Sequence, residues 1–312
     1  MTTLSKLLLK KGNVLVGKWK GQQYHVERLL GEGANGKVFL VSKDWNWYAL
    51  KIGANAIDLQ SEINALKALA GRDVSANDNY LKDVDDCIMP DGKEYSFYTM
   101  RYVKGLDIPS YIEQNGQEWF PLLALNMLRR LGQLHQAGWI FGDLKVENII
   151  AAEYGHVELI DYGGATKIGK SVKQFTEIYD RGYWNSGTRC ADPAYDLFSF
   201  ATLCVQLFAP RKLSQATNEL IPQNRSIEEL MAIVKTIPQL APYEGWLLKA
   251  FHGHFRDGEE AAEAWRMLAH RRKASVKSNK TPRWLKVLIA ISVLSLCTVA
   301  SIALLDLGGL LK

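Results

Sequence analysis

The 312-residue sequence holds four cysteines, Cys87, Cys190, Cys204 and Cys297, with no paired spacing. That excludes a disulfide framework or a cysteine-built zinc site and fits a reducing compartment. Histidine is equally sparse: of six, only His252 and His254 lie close together, and no cysteine or carboxylate accompanies them at metal-ligand spacing. Acid is missing from both ends. None precedes Glu27, and from Arg266 onward Asp306 stands alone against nine Lys/Arg. Removing that tail from the totals leaves 29 basic and 32 acidic residues, a body near −3 and a tail near +8. A basic tail on a slightly acidic body points to an anionic partner for the tail. Long apolar runs are also rare. Leu7-Leu8-Leu9 stops at Lys10-Lys11, so no signal peptide is expected. There is no internal repeat.

One long run does occur. Val287 to Leu305 is nineteen residues without a charge, closed by Lys286 and Asp306, with Trp284 at interfacial depth. As a helix it covers about 30 Å, the thickness of a hydrocarbon core. It is apolar on every face, unlike the single stripe of a soluble helix, and is read as a transmembrane helix. Basic residues crowd only its N-terminal flank, so the positive-inside rule keeps residues 1–286 cytoplasmic and leaves 306–312 as a short exterior tail. The expectation is a single-pass protein of the cytoplasmic membrane.

An apolar fraction of 47% supports a core, and the length calls for two lobes. Val14–Val16, Tyr24–Val26, Leu29–Ser42 with a glycine turn, Tyr48–Ile52 and Tyr95–Val103 read as strands. Asp58–Leu69 has helical spacing, with Leu59, Ile63, Leu66 and Leu69 on one stripe. Residues 71–91 read as polar and turn-rich. Beyond Pro121 the character becomes helical: the stripe Leu122 to Leu134, then Tyr195–Phe208, Ile227–Val234 and Tyr243–Phe251. Residues 269–282 show no apolar period and are expected to be a flexible linker.

Four motifs run along this frame in a fixed order. Gly31-x-Gly33-x-x-Gly36-x-Val38 lies between two strands, and Ala49-Leu50-Lys51 sits on the next. Asp143-Leu144-Lys145 is followed by Asn148, and eighteen residues after Asp143 comes Asp161-Tyr162-Gly163. A glycine motif alone is weak; all four in this order resemble the protein kinases, and specifically the eukaryotic-like Ser/Thr protein kinases of bacteria. Gly138 to Lys145 and Thr176 to Trp184 resemble a membrane-anchored branch found in spore-forming bacilli. The resemblance implies an α+β, bilobal kinase fold with a β-rich N-lobe and a helical C-lobe, ending here in the transmembrane helix. Its domains would be a basic segment 1–28, a kinase domain 29–265, a basic linker 266–286, the span 287–305 and the tail 306–312.

The resemblance also implies roles. Gly31, Gly33 and Gly36 would cover the phosphates of ATP, and Val38 and Ala49 would wall the adenine pocket. Lys51 would hold the phosphates, paired with Glu62 on the following helix. Met100 would be the gatekeeper, the backbone at Val103 would meet the adenine edge, and Asp107 would contact the ribose. Asp143 would orient the substrate hydroxyl, Lys145 would steady the γ-phosphate, and Asn148 and Asp161 would hold Mg2+. Asp196 would anchor the catalytic-loop backbone. Protein substrates are implied, with DNA as an activating ligand. Arg271, Arg272, Lys273, Lys277, Lys280 and Arg283 are the candidate polyanion contacts, DNA or anionic lipid.

The pattern also departs from the family. Phe141-Gly142 replaces the His-Arg before the catalytic Asp, which removes the cation that usually receives a phosphorylated activation loop, and Phe141 is expected to pack near Leu66 and Tyr162. Tyr162 replaces a Phe, and no Ala-Pro-Glu precedes Asp196. Two further readings stay open: a small-molecule phosphotransferase of the aminoglycoside-kinase type, against which Lys145 speaks, and a non-catalytic kinase-fold membrane tether, against which the intact Lys51, Asp143, Asn148 and Asp161 speak.

Overall fold

The computed structural model describes residues 9–33, 35–70, 80–89, 92–173, 175–276, 287–288, 291–292 and 294–295. The chain divides into two compact units, Met1–Leu268 and Ala269–Lys312.

The first unit begins with the strands β1 (Val14–Val16), β2 (Gln23–Gly33), β3 (Gly36–Lys43) and β4 (Asn46–Gly53), then helix α1 (Ala56–Ala70) and strands β5 (Leu81–Ile88) and β6 (Glu94–Arg101). They form one antiparallel sheet in the order β1-β2-β3-β4-β6-β5. One face buries Phe39, Val41, Leu50, Ile52 and Phe97 in a small core of its own. The sheet starts before residue 29: β1 and the first six residues of β2 belong to it, so the basic segment expected over 1–28 is in part a structural edge. That edge reaches across to β5. Lys18 N–H donates to the carbonyl of Asp86 at 2.7 Å, and the Asp85 carboxylate accepts from Trp19 N and Lys20 N at 3.0 and 2.9 Å. β5 was expected to be turn; its acids, Asp83, Asp85 and Asp86, hide the strand period and are spent on gripping this segment.

The rest is mainly helical: β7 (Leu106–Asp107), α2 (Ile108–Asn115), α3 (Phe120–Gln136), β8 (Trp139–Ile140), β9 (Ile149–Ala151), β10 (Val157–Leu159), β11 (Thr166–Lys167), α4 (Pro193–Phe208), α5 (Pro210–Glu219), α6 (Ile227–Lys235), α7 (Glu244–Phe251) and α8 (Gly258–Val276). The short strands make two small sheets, β10-β9-β7 and β11-β8, which fix the catalytic loop between them. α4 is apolar almost throughout and is buried from Tyr195 to Val205. It packs with α3, α7 and α8 around Trp246 and Trp265, in a core that continues to Leu59, Ile63 and Leu66 of α1. Burying such aromatics contributes about 1.5–3 kcal/mol each before ordering entropy is charged against it.

α8 continues to Val276, so the linker expected from 269 begins as helix, with Arg271, Arg272 and Lys273 on it. A run of helix-favouring residues, Ala264 to Ala274, outweighs the missing apolar stripe there. Lys277, Lys280, Arg283 and most of the apolar run 287–305 lie outside the described residues. Among the described residues no helix is long and apolar enough to cross a membrane.

Candidate active site

The site is built from β2 to β4, α1, β6 and the loops flanking β9 and β10. The glycine turn joins β2 to β3, and its three glycines do different work. A Cβ on Gly31 or Gly33 would meet nothing within 4 Å. Gly36 has φ +150°, and a Cβ there would fall 2.1 Å from the Ile52 carbonyl oxygen. Only glycine lets β3 approach β4 at that point, which keeps Lys51 in register with Val38.

A cleft of about 560 Å3 opens beneath this turn. Gly31, Gly33, Gly36, Val38, Ala49, Lys51, Met100, Val103, Lys145, Asn148 and Asp161 all line it. Glu62 and Asp143 do not line it; each is bonded to a residue that does. Lys51 Nζ donates to Glu62 Oε1 and Oε2 at 2.9 and 2.8 Å and to Asp161 Oδ1 at 2.7 Å. Lys51 is 2% exposed and Glu62 1%. Burial alone would pull the Lys51 ammonium down, but Glu62 and Asp161 outweigh it and hold it above its ordinary value. Burial pushes Glu62 up against the opposing pull of Lys51. Asp161 is also penalised by burial, yet Lys51 and the Gly163 N–H keep its carboxyl below the usual range. Lys51 and Asp161 are therefore charged at neutral pH, as phosphate and metal binding require.

Asp161 holds a left-handed backbone, φ 61° and ψ 77°, and accepts from Gly163 N at 3.3 Å. A non-glycine residue in that region stores strain, here at the head of the segment that returns to β11. Tyr162 behind it packs edge-on against Phe141 with centroids 5.3 Å apart, which meets the expectation for that replaced position.

The catalytic loop hangs from Asp196. Its carboxylate, 0% exposed, accepts from Phe141 N at 2.7 Å and Gly142 N at 2.9 Å, with His135 Nε2 3.0 Å away. Gly258 N–H donates to His135 Nδ1 at 3.0 Å, so α3, α4 and the start of α8 meet at one buried point. Gly142 has φ +80°, and a Cβ there would lie 2.4 Å from the Gly164 carbonyl oxygen. The arginine absent from the sequence thus has no room in this backbone. Lys145 Nζ donates to Asp143 Oδ2 at 2.6 Å. Asn148 Nδ2 donates to the Asp143 carbonyl at 2.9 Å, which leaves its Oδ1 as an oxygen donor. A carboxylate and an amide oxygen suit a hard cation such as Mg2+, so Asp161 and Asn148 fit the metal role.

Asp107 behaves differently from the other candidates. It does not line the cleft, and its carboxylate accepts from Ser110 N at 2.8 Å as the N-cap of α2. Glu147 does line the cleft, is exposed, and was not singled out in the sequence although it adjoins Asn148. Tyr98 was also missed: its hydroxyl donates to Glu62 Oε2 at 2.9 Å. Its position two residues before Met100, on the same face of β6, was the available signal. Thr176 entered the sequence reading only as the start of a stretch of resemblance; its Oγ1 donates to Asp143 Oδ1 at 2.8 Å. Arg181 and Asp180 stabilise the turn where Ala-Pro-Glu is missing. Arg181 forks onto Asp192 at 2.8 and 2.6 Å, and buried Asp180 accepts from Arg189 Nε at 2.7 Å and Tyr195 OH at 3.0 Å.

Comparison with known proteins agrees with this geometry. The protein kinase domain model matches residues 24–261. The serine/threonine-protein kinase YabT of Bacillus subtilis is 36% identical over 282 residues, covering 88% of this chain and 80% of YabT. The protein kinase C eye isozyme of Drosophila melanogaster is 26% identical over 205 residues, which is 28% of its length. The solved structure of vaccinia related kinase 3 superposes with a TM-score of 0.65 over 88% of this chain and 94% of its own, at 15% identity, a likeness of fold alone. With the family model spanning the whole cleft and its supporting helices, the chain belongs to the protein kinase family.

Proposed function

We propose that the chain is a Ser/Thr protein kinase that transfers the γ-phosphoryl group of Mg-ATP to protein hydroxyls, tethered to the membrane through 287–305. The observation that carries the catalytic part is Lys51 bonded at once to Glu62 and Asp161. An ammonium between a helix carboxylate and a metal-site carboxylate is the arrangement phosphoryl transfer needs for positioning and charge neutralisation.

Mg-ATP supplies the transferable phosphoryl group with part of its charge already neutralised. Lys51 would hold its phosphates, and Asn148 and Asp161 would hold the metal. Asp143 accepts hydrogen bonds with both oxygens, from Thr176 and Lys145, and is thereby aimed where an acceptor hydroxyl must enter. Lys145, 2.6 Å from Asp143, favours a protein kinase over a small-molecule kinase. Ser/Thr specificity is supported by the 36% identity to YabT, a serine/threonine-protein kinase. Anchoring is supported by the nineteen uncharged residues and their one-sided basic flank. Regulation by a polyanion is supported by eight Lys/Arg and no acid between Arg266 and Lys286, enough to bind DNA phosphates or anionic headgroups.

Phosphate transfer from radiolabelled Mg-ATP to a protein acceptor, to an aminoglycoside and to no added acceptor tests the reading. Label in protein Ser and Thr, with none in the aminoglycoside, is the expected result. Label confined to the small molecule, or none at all, would overturn it.

A further inference from the structure

One contact joins the segment after β11 to α1. Lys173 Nζ donates to Ser61 Oγ at 2.7 Å. Ser61 directly precedes Glu62, the carboxylate that holds Lys51. The segment that delivers Thr176 to Asp143 is therefore also fastened to the helix that sets the phosphate-binding lysine. If α1 turns outward, Glu62 leaves Lys51, and the ammonium is free to swing onto Asp161 alone.

The usual fastening is closed to this chain. The position before Asp143 is Gly142, whose φ of +80° and approach to the Gly164 carbonyl exclude a side chain. No arginine can stand there to receive a phosphate. The charges in the segment are instead its own: Lys167, Lys170 and Lys173, with no acid between Thr166 and Phe175. On the receiving side, Asp58 lies three residues before Ser61 on the same face of α1, so the helix offers negative potential to a cation.

We propose that Lys173 is a positioning residue for phosphoryl transfer: through Ser61 it holds α1 inward and so sets the Lys51–Glu62 pair without any phosphate–arginine contact. The polarity is the reverse of the usual one, with the cation on the segment and the acceptor on the helix. The proposal rests on the phosphotransfer reading above. An exposed lysine–serine bond can also be inert, and the two cases separate experimentally. If the contact sets α1, an acid at position 61 strengthens the hold by converting a charge–dipole contact into an ion pair.

The experiment uses the full chain and reads two quantities: hydrogen-exchange protection of the α1 amides without nucleotide, and kcat/KM for ATP. Lys173→Met is expected to lower both by about fivefold, the loss of one modest hydrogen bond, and Lys173→Arg is expected to restore them. Ser61→Asp is expected to raise α1 protection in the Lys173 chain and to have no effect in Lys173→Met. Unchanged protection in Lys173→Met overturns the proposal, as does a Ser61→Asp effect of the same size with and without Lys173. Protection is read without turnover, so a chain showing the coupling but no phosphate transfer would sink the functional reading and leave the coupling intact.

Discussion

Replacing Lys51 with Met tests the buried ion-pair cluster quantitatively. Met fills a similar volume and removes the cation, leaving the Glu62 and Asp161 carboxylates together with Glu62 1% exposed. Breaking a buried pair from one side costs about 3–5 kcal/mol. Protonation of Glu62 limits that penalty. From an ordinary glutamate value, neutralising it costs about 4 kcal/mol at pH 7.5 but only about 1 kcal/mol at pH 5.0. In the variant Glu62 loses the lysine that opposes burial, so its folded-state pKa rises further above the unfolded value. A raised carboxyl contributes stability below the unfolded pKa and loses it as pH rises through the folded one, so the penalty must grow from pH 5.0 to 7.5. For a domain of this size about 2–4 °C accompanies each kcal/mol. Thermal unfolding of the variant against the parent should therefore show a deficit of about 6–16 °C at pH 7.5 and about 2–4 °C at pH 5.0. Equal deficits at the two pH values would refute the account of Glu62 as a carboxylate held charged by Lys51.

Three further outcomes follow from other contacts. Asp196→Ala leaves the Phe141 and Gly142 N–H groups buried without an acceptor, at about 1–3 kcal/mol each, so the unfolding temperature should fall by at least about 4 °C; a fall under about 1 °C would show that the loop does not hang from Asp196. Thr176→Ala should lower kcat about tenfold by freeing Asp143 Oδ1, with Thr176→Ser restoring it and Ser171→Ala, at an exposed position, leaving it unchanged; in a kcat comparison, the opposite ranking would contradict the contact. Changing Arg271, Arg272, Lys273 and Lys277 together to Gln should weaken DNA binding and flatten its log–log salt slope by up to about 3.6; unchanged binding and unchanged activity would reduce the linker to a topology signal.

The motifs were legible because phosphoryl transfer fixes residue types at fixed spacings. Lys51, Asp143, Asn148 and Asp161 could be named from their order alone, and Glu62 followed as the only Glu on the expected helix. The apolar stripes of α3 and α6 were equally plain. β5 was not, because Asp83, Asp85 and Asp86 hold the β1–β2 connection and β2 across the sheet, and nothing in a local window shows partners 59 to 67 residues away. α5 was hidden for the converse reason: only Leu213 of it is buried, so it carries no stripe. Asp107 had a plausible ribose role and a plausible capping role, and the helix that follows engages its carboxylate as a cap. Tyr98 and Thr176 act through hydroxyls on carboxylates distant in sequence, and His135 meets Asp196 over 61 residues; such bonds exist only once the lobes are folded.

The most direct test of the central claim is phosphate incorporation by the full chain and by its Asp161→Asn variant, measured together with thermal unfolding. The account predicts phosphoserine or phosphothreonine in the parent, none in the variant, and closely similar unfolding temperatures. Undiminished labelling in Asp161→Asn would contradict it.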